Sequence, residues 1–315
     1  MIDDHAAAAK RQIFGILLLN WNTHEDVVEC VRSIQEGTYD GFRIYVLDNG
    51  SGTQSLHYIG SRLSAITIIE NRKNLGFTGG FNEGIRRALS DQVDIICVLN
   101  NDTRLATDFF QNVANAFRDP DIAAVSPKEL DYYAPNVLRF AGGRSGPVFD
   151  RRNGYGETDG EKFSTSRDTE MLCGPAMIFR ASTLERLGGF DETLFFDHED
   201  REMAIRLRRA GMRIRYVPTA RVWHKGAGST GGKESPLSAF FGVRNYLIVA
   251  LKHGTPMQII GALGMATMYW IPSVLLRATL SRDTRYLTGL KWMMQWFLNP
   301  AKVPSCQEIA SYLLD

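Results

Sequence analysis

The 315-residue chain is short of several features that would assign it a class at once. It has four cysteines, Cys30, Cys97, Cys173 and Cys306, and the nearest two stand 67 positions apart. No CxxC redox pair or zinc knuckle can be assembled from neighbours, and the count is too low for a disulfide scaffold. Neither sign of charge is in excess: 36 Lys and Arg face 35 Asp and Glu, for a net +1. That balance excludes bulk electrostatic capture of nucleic acid, so no nucleic-acid partner is expected. The first residues, Met1 to Gln12, are polar and alanine-rich, without the apolar run and cleavage site of a secretory signal. A reducing cytoplasm is expected, with four free thiols buried as small hydrophobes.

What is present is an ordinary folding composition. Apolar residues make up 44%, charged residues 23% and aromatic residues 10%, which excludes a disordered or collagen-like chain. The length allows one large domain or one with an appendage, and a chain of this size buries about three quarters of its unfolded surface.

The first half alternates short β-branched runs with helix-length segments. Ile13–Asn20, Arg43–Asp48, Ala65–Glu70 and Asp94–Asn100 are nearly continuous apolar stretches, as in parallel strands covered on both faces. Helices are expected at Glu25–Gln35, Gln54–Leu63, Phe81–Leu89 and Asp108–Phe117, giving a doubly wound α/β domain. Residues 131–168 change character, with few apolar positions over 142–160, and read as an excursion or mobile loop. Further on, the pattern predicts helices at Ser182–Leu187 and Asp200–Ala210, the second closed by Gly211. A strand follows at Arg213–Val217, stopped by Pro218.

In such sheets the ligand sits at the carboxyl ends of the strands, where strand order switches. Three strands end in polar residues: Asn20-Trp21-Asn22, Asp48-Asn49-Gly50-Ser51 and Asn100-Asn101-Asp102. Each alone would serve as a helix N-cap or turn. After the third strand, Asn74–Gly84 forms a glycine-rich approach to a helix N-terminus, suited to a diphosphate. It departs from G-x-G-x-x-G and from a P-loop, which disfavours an NAD(P)-dependent oxidoreductase without removing it. Asp102 is the candidate ligand for Mg²⁺ or Mn²⁺, which take few protein carboxylates and share phosphate oxygens. His224 beside the Gly226–Gly232 run is either a second ligand or a core histidine. The acidic run Asp197-His198-Glu199-Asp200 either complements a helix dipole or supplies a base for a hydroxyl.

The last quarter differs. No charged residue occurs from Gly254 to Leu276, a stretch just long enough to span a bilayer. Arg244, Lys252, Arg277, Arg282, Arg285, Lys291 and Lys302 outnumber Asp283 around it, with Tyr269, Trp270, Trp292 and Trp296 interspersed. This mixture suits the headgroup layer of an anionic membrane; packing on the α/β domain, a homo-oligomer interface and a true span are the alternatives.

Taken together, ILLLNWN, VLDNGS, NLGFTGGFNEG, VLNND, GGFDETLFFDHED and VPTARVWH resemble the inverting family 2 nucleotide-sugar glycosyltransferases of GT-A fold. The rhamnosyltransferase-like subgroup resembles it most, over roughly Ile13 to Ser229. The resemblance implies a GT-A domain over 1–237, with a nucleotide-binding half near 13–126, an acceptor half near 127–237, and a helical region at 238–315. It implies that Asn20, Asp48 and Asn49 line the nucleoside pocket. Asn74, Gly76, Gly79, Asn82 and Asn101 would serve the nucleotide sugar, Asp102 and His224 the divalent metal, and Asp200 with Glu199 the catalytic base. Asn100 stands where the family's metal motif has its first acid, and Glu202 where many members have a further Asp. The expected reaction moves a sugar, L-rhamnose from dTDP-L-rhamnose, to a glycan or lipid-linked saccharide at the inner face of a membrane. A UDP-sugar donor (galactose, glucose or N-acetylhexosamine) is the alternative, and a non-catalytic scaffold a remoter one.

Overall fold

A computed structural model describes residues 11–226, 235–299 and 302–314. Most of the N-terminal segment and all but the first residue of the Gly226–Gly232 run lie outside the described residues. Strands β1 (Phe14–Asn20), β2 (Phe42–Asp48), β3 (Ile66–Glu70) and β4 (Ile95–Leu99) match the expected runs. They lie side by side in parallel in the order β3-β2-β1-β4, connected by α1 (His24–Gln35), α2 (Thr53–Gly60) and α3 (Gly76–Ser90). After β4 come β5 (Thr103–Leu105), α4 (Phe109–Ala116), β6 (Ile122–Asp131), β7 (Leu138–Phe140), β8 (Gly143–Gly146), β9 (Phe149–Arg152) and β10 (Arg167–Thr169). Then follow β11 (Ala176–Arg180), α5 (Ala181–Leu187), α6 (Glu199–Arg209) and β12 (Arg213–His224). The sheet continues past β4 as β11-β6-β12-β10, with β11 antiparallel to both neighbours and β12 parallel to β6.

Alternation along each strand feeds two cores. Phe14, Ile16 and Leu18 of β1 point into one, with Val27 and Val31 of α1 and Phe109 of α4. Leu17 points into the other, with Phe81 and Ile85 of α3 and Met203 and Leu207 of α6. This is the doubly wound α/β architecture, with antiparallel strands on the far side. Of the four cysteines, none paired, Cys30, Cys97 and Cys173 are buried, as expected of small apolar side chains.

Three local expectations change. Residues 142–160 include the β8–β9 hairpin, in which Arg144 pairs with Arg151, so that segment carries ordered structure. Pro218 does not end its strand: β12 runs on to His224 because a register shift between Val217 and Arg221 absorbs the missing donor. The glycine-rich Asn74–Gly84 segment is mostly helix, since α3 begins at Gly76. Two of its glycines, Gly80 and Gly84, serve packing. A methyl at Gly80 would stand 2.5 Å from Leu19 Cδ1, and one at Gly84 would stand 2.6 Å from Leu47 Cδ1. The missing side chains let α3 lie flat on β1 and β2, which fixes where its N-terminus meets the strand ends.

The C-terminal region is helical, as expected. In α7 (Pro236–His253), Pro236 follows an N-cap Ser235 whose side chain accepts from Ser238 N–H. Phe241, Asn245 and Val249 of α7 are buried. Next, α8 (Pro256–Met265) starts in a Thr255–Gln258 capping box and continues through a π-turn at Ala266–Trp270 into α9 (Ile271–Ser281). Two helices follow, α10 (Arg285–Leu298) and α11 (Cys306–Leu314). Leu237, Phe240, Phe241, Met293, Ile309 and Leu313 form a third core, so α7, α10 and α11 pack as protein. The unbroken helix Pro256–Ser281 packs through Ala262, Ala266, Val274 and Ala278 but is otherwise exposed: among the described residues it is long and apolar enough to cross a membrane, and only 17% of its apolar window is buried.

Replacing Gly84 with Val should overpack the α3–β2 contact and lower unfolding free energy by about 1–3 kcal/mol, as read from denaturant titration.

Candidate active site

The strand ends do converge. Asn20 and Asp48 are in-register neighbours of β1 and β2, and Asn20 Nδ2 donates to Asp48 Oδ1 at 2.7 Å and to Ser55 Oγ at 2.9 Å. Asp48 Oδ2 accepts from Ser51 N–H at 3.1 Å. Both residues are buried, so they brace the first two loops from behind. Asn49 binds the next layer: its Nδ2 donates to Asn74 Oδ1 at 2.8 Å and its Oδ1 accepts from Leu75 N–H at 3.0 Å. Asn74 Oδ1 also accepts from Gly76 N–H. Asn101 donates to Leu19 O and Thr23 Oγ1 at 2.6 and 2.7 Å, holding the end of β4 against the end of β1.

These loops open on one large cavity of about 950 Å³, at the upper end for small-molecule sites. Asn49, Asn74, Gly76, Asn101, Asp102, His224 and Glu199 line it, and Trp21 stands beside them. Asn20, Asp48, Gly79 and Asn82 are not among the residues that line it, and half-buried Asp200 stands between the wall residues Glu199 and Arg201 with its carboxylate against Gly174. Asn82 is spent elsewhere. Its Nδ2 donates to Phe190 O and Glu192 Oε1, and its Oδ1 accepts from Phe190 N–H, bolting α3 to the Gly189–Glu192 turn.

At one end, the last residue of β12 faces the first turn after β4. His224 Nε2 lies 3.2 Å from Asp102 Oδ1, while Nδ1 lies 2.8 Å from Glu129 Oε1 on β6. Burial opposes the imidazolium, yet the two carboxylates outweigh it and raise His224 to about 9. Burial would likewise raise Asp102, but its bond and charge contact with His224 hold it below the ordinary carboxylate range. Gly226 N–H caps the other Asp102 oxygen at 3.1 Å. The pair suits a hard cation. Two adjacent ligands of an octahedral Mg²⁺ or Mn²⁺ shell stand about 3 Å apart, the separation seen here. With Nδ1–H donated to Glu129, loss of the Nε2 proton to solvent would let that nitrogen, which now faces Asp102, serve as a ligand. Among the described residues no set of three His, Cys, Asp or Glu forms a metal cage, so the rest of such a shell would be water or substrate oxygens. Sequence reading missed Glu129, because it lies inside the buried strand Ile122–Asp131 and nothing in its neighbours marks it.

Across the cavity stands the acidic run. Phe195, Asp197 and His198 take left-handed backbone at φ 62°, 73° and 68°, a conformation that costs non-glycine residues energy and clusters at functional sites. The loop is held from α7: Asn245 Nδ2 donates to the carbonyls of Leu194, Phe196 and Asp197. The turn puts Glu199 and Asp200 at the N-terminus of α6. Burial pushes both carboxyls above their ordinary values; for Glu199 the charges of Asp200 and Asp197 add to the rise, while for Asp200 the Arg152 guanidinium opposes it. Glu199 Oε2 is buried without a hydrogen-bond partner. The Asp200 carboxylate lies against the wall residue Gly174, where a methyl would stand 3.2 Å from its Oδ2. Arg152 comes from the β8–β9 hairpin, and Asp150 of the same hairpin is paired with Arg201, so the hairpin is tied to α6. Glu202 is not free for a ligand: it bonds Arg206 at 2.8 Å and His253 at 3.0 Å.

The doubly wound sheet thus sets the Asp102–His224 pair and an acidic helix start on the walls of one cavity. Residues 16–188, more than half of the chain, match Glycosyl transferase family 2. The chain belongs to that family. It is 26% identical over 267 residues to the N-acetylglucosaminyl-diphospho-decaprenol L-rhamnosyltransferase of Mycobacterium tuberculosis, covering 76% of this chain and 85% of that protein. It is 25% identical over 196 residues to the pre-mycofactocin glycosyltransferase of the same organism, covering 58% of this chain but only 37% of that one. The chain thus spans well under half the length of that second relative. A solved mannosyltransferase from Pyrobaculum calidifontis, in complex with GDP-Man and Mn²⁺, superposes with a TM-score of 0.58 over 97% of this chain and 86% of that chain, at 17% identity. The GT-A fold is shared.

The two raised carboxyls oppose folding near neutrality. A carboxyl raised in the folded state favours folding below its unfolded value and loses that contribution as pH climbs through the folded one. Glu199→Gln should therefore unfold at a higher temperature than the parent at pH 7, with the difference vanishing near pH 4, by thermal denaturation across pH.

Proposed function

We propose that the chain transfers one sugar from a nucleotide-diphosphate donor to a saccharide hydroxyl with inversion at the anomeric carbon. The observation that carries this reading is the arrangement of Asp102, His224 and Glu129 at one end of a cavity whose far wall includes Glu199, with the Asp200 carboxylate beside it against Gly174. Asn49, Asn74, Gly76 and Asn101 shape the donor end. A divalent cation bound at Asp102 and His224 supplies charge stabilisation for the departing diphosphate.

The chain's own residues do the rest. Asp200 takes the proton of the acceptor hydroxyl, whose oxygen attacks the anomeric carbon from the face opposite the diphosphate. The bond from that carbon to the diphosphate oxygen breaks as the new glycosidic bond forms, through an oxocarbenium-like state. Arg152 beside Asp200 keeps the carboxylate form accessible despite burial. Glu199, buried with one oxygen unpartnered, is placed to bond a substrate hydroxyl. Water is the competing nucleophile, so a bound acceptor must displace it from the anomeric carbon.

For the donor, dTDP-L-rhamnose is the first choice, supported by likeness to an L-rhamnosyltransferase along most of that protein's length. A UDP-sugar is the alternative. The acceptor is a glycan or lipid-linked saccharide in cell-surface polysaccharide synthesis, reached at the cytoplasmic face of the membrane. The exposed apolar residues Met257, Ile260, Met268, Leu276 and Leu280 support a peripheral attachment there.

Purified protein offered a panel of nucleotide sugars should release dTDP from dTDP-L-rhamnose, and chelation should abolish release. Asp200→Asn should retain nucleotide binding and lose at least about a hundredfold in turnover. Selective use of UDP-galactose would reject the rhamnosyl donor, and full activity in Asp200→Asn would reject the base. Vesicles rich in phosphatidylglycerol should sediment the chain, and salt should release it; indifference to vesicles at low salt would reject the attachment.

A further inference from the structure

Strand β6 ends in two carboxylates, Glu129 and Asp131, which stand two positions apart and so share one face. Each holds a cation. Glu129 holds the imidazole of His224, and Asp131 holds the guanidinium of Arg139, whose Nε and Nη2 meet Asp131 Oδ2 at 2.8 and 2.6 Å. His224 and Asp131 are register partners in β12 and β6, so both cations sit at the same end of the sheet. Arg139 belongs to β7, between the buried residues Leu138 and Phe140. Pairing slips around it: Glu129 faces Phe140 while Leu130 faces Leu138. Arg139 is therefore the extra residue of a bulge, a device that re-aims one side chain. Its guanidinium reaches the wall of the cavity that Asp102 and His224 also line. Gly226 measures how near the groups come. Its N–H donates to Asp102 Oδ2 at 3.1 Å, and a methyl added to it would collide with Arg139 Nη1, so one residue separates the guanidinium from Asp102. Tying β7 to β6 uses only the Nε–Nη2 edge, with Nη2 also 3.4 Å from the Lys225 carbonyl. Nη1 makes no hydrogen bond among the described residues, and the tie between strands leaves its donors unexplained.

We infer that Arg139 is a donor-binding residue, whose Nη1 donates to a phosphate oxygen of the nucleotide diphosphate at the Asp102–His224 end of the cavity. The inference rests on the sugar-transfer reading and adds to it a residue that no motif in the sequence marks. A guanidinium presents fixed, planar donors and stays charged at every working pH, which suits a phosphate better than a sugar hydroxyl. Asp131 holds it in place beforehand, so little side-chain freedom is lost when a phosphate binds. Asp131 does not cancel its charge, because that carboxylate also accepts from the Tyr133 and Ala134 N–H groups at 2.9 Å each. As the bond from the anomeric carbon to the diphosphate oxygen breaks, the electron pair goes to that oxygen, and a fixed positive group beside the diphosphate stabilises the charge without moving a proton.

The test titrates the full-length protein with dTDP, UDP and GDP by calorimetry, in Mn²⁺ and again in chelator, and with the matching nucleosides by ligand-observed NMR. Arg139→Met should weaken the diphosphate that the parent binds by about tenfold or more in both conditions, while leaving the nucleoside within about twofold of the parent. The fold should survive, since Asp131 keeps its two backbone donors and is partly exposed. Arg139→Lys keeps the charge without the fork and should recover part of the loss. Asp131→Asn loosens the anchor and should cost the diphosphate less than Arg139→Met does, again without moving the nucleoside. Parental diphosphate affinity in Arg139→Met would overturn the proposal, and so would an equal loss of diphosphate and nucleoside, which is the mark of a purely structural tie. A parent that binds none of the three diphosphates would instead reject the sugar-transfer reading itself.

Discussion

One imidazole caught between two carboxylates organises this molecule. His224 ends β12, Asp102 follows β4 and Glu129 lies in β6, so the chain of contacts from Glu129 through His224 to Asp102 joins three strands of the sheet at one edge. Without Glu129 the ring would be free to turn, and a buried Asp102 would lose the cation that keeps it ionised. The pairing therefore does two things at once. It closes the sheet edge, and it presents one nitrogen and one oxygen at the spacing a hard cation requires.

The opposite wall is built on a different principle. There the backbone is forced into left-handed conformations at Phe195, Asp197 and His198, and the carboxyls of Glu199 and Asp200 are buried above their ordinary pKa. Both features cost stability. They persist because α7 grips the loop through Asn245, whose amide donates to three of its carbonyls, and because the β8–β9 hairpin is tied to α6. The C-terminal helices thus belong to the site: they hold the acidic loop and extend the cavity with apolar walls.

Much of this was legible from residue order. Apolar runs of strand length alternating with helical segments gave β1 to β4 within a residue or two, because a parallel sheet covered on both faces leaves a strong pattern. Polar residues at strand ends marked the site edge, and Asp102, His224 and Glu199 do share a cavity. The glycines of Asn74–Gly84 divide: Gly76 lines the cavity at the start of α3, whereas Gly80 and Gly84 let the helix approach the sheet, and sequence does not distinguish the two uses. Pro218 misled, because a bulge decides whether a proline ends a strand. Asn82 and Glu202 carry site-like side chains, yet both are consumed by internal bonds.

The sequence by itself determined the layering of strands and helices, the family and the identity of the acids and the histidine, because periodicity and local motifs are properties of neighbours along the chain. Only the tertiary structure decided that Glu129 orients His224 from 95 positions away, that Asn245 holds the acidic loop, and that the long apolar helix forms a cavity wall. Those contacts join residues far apart in the chain, and no local pattern encodes which distant surface a side chain will meet.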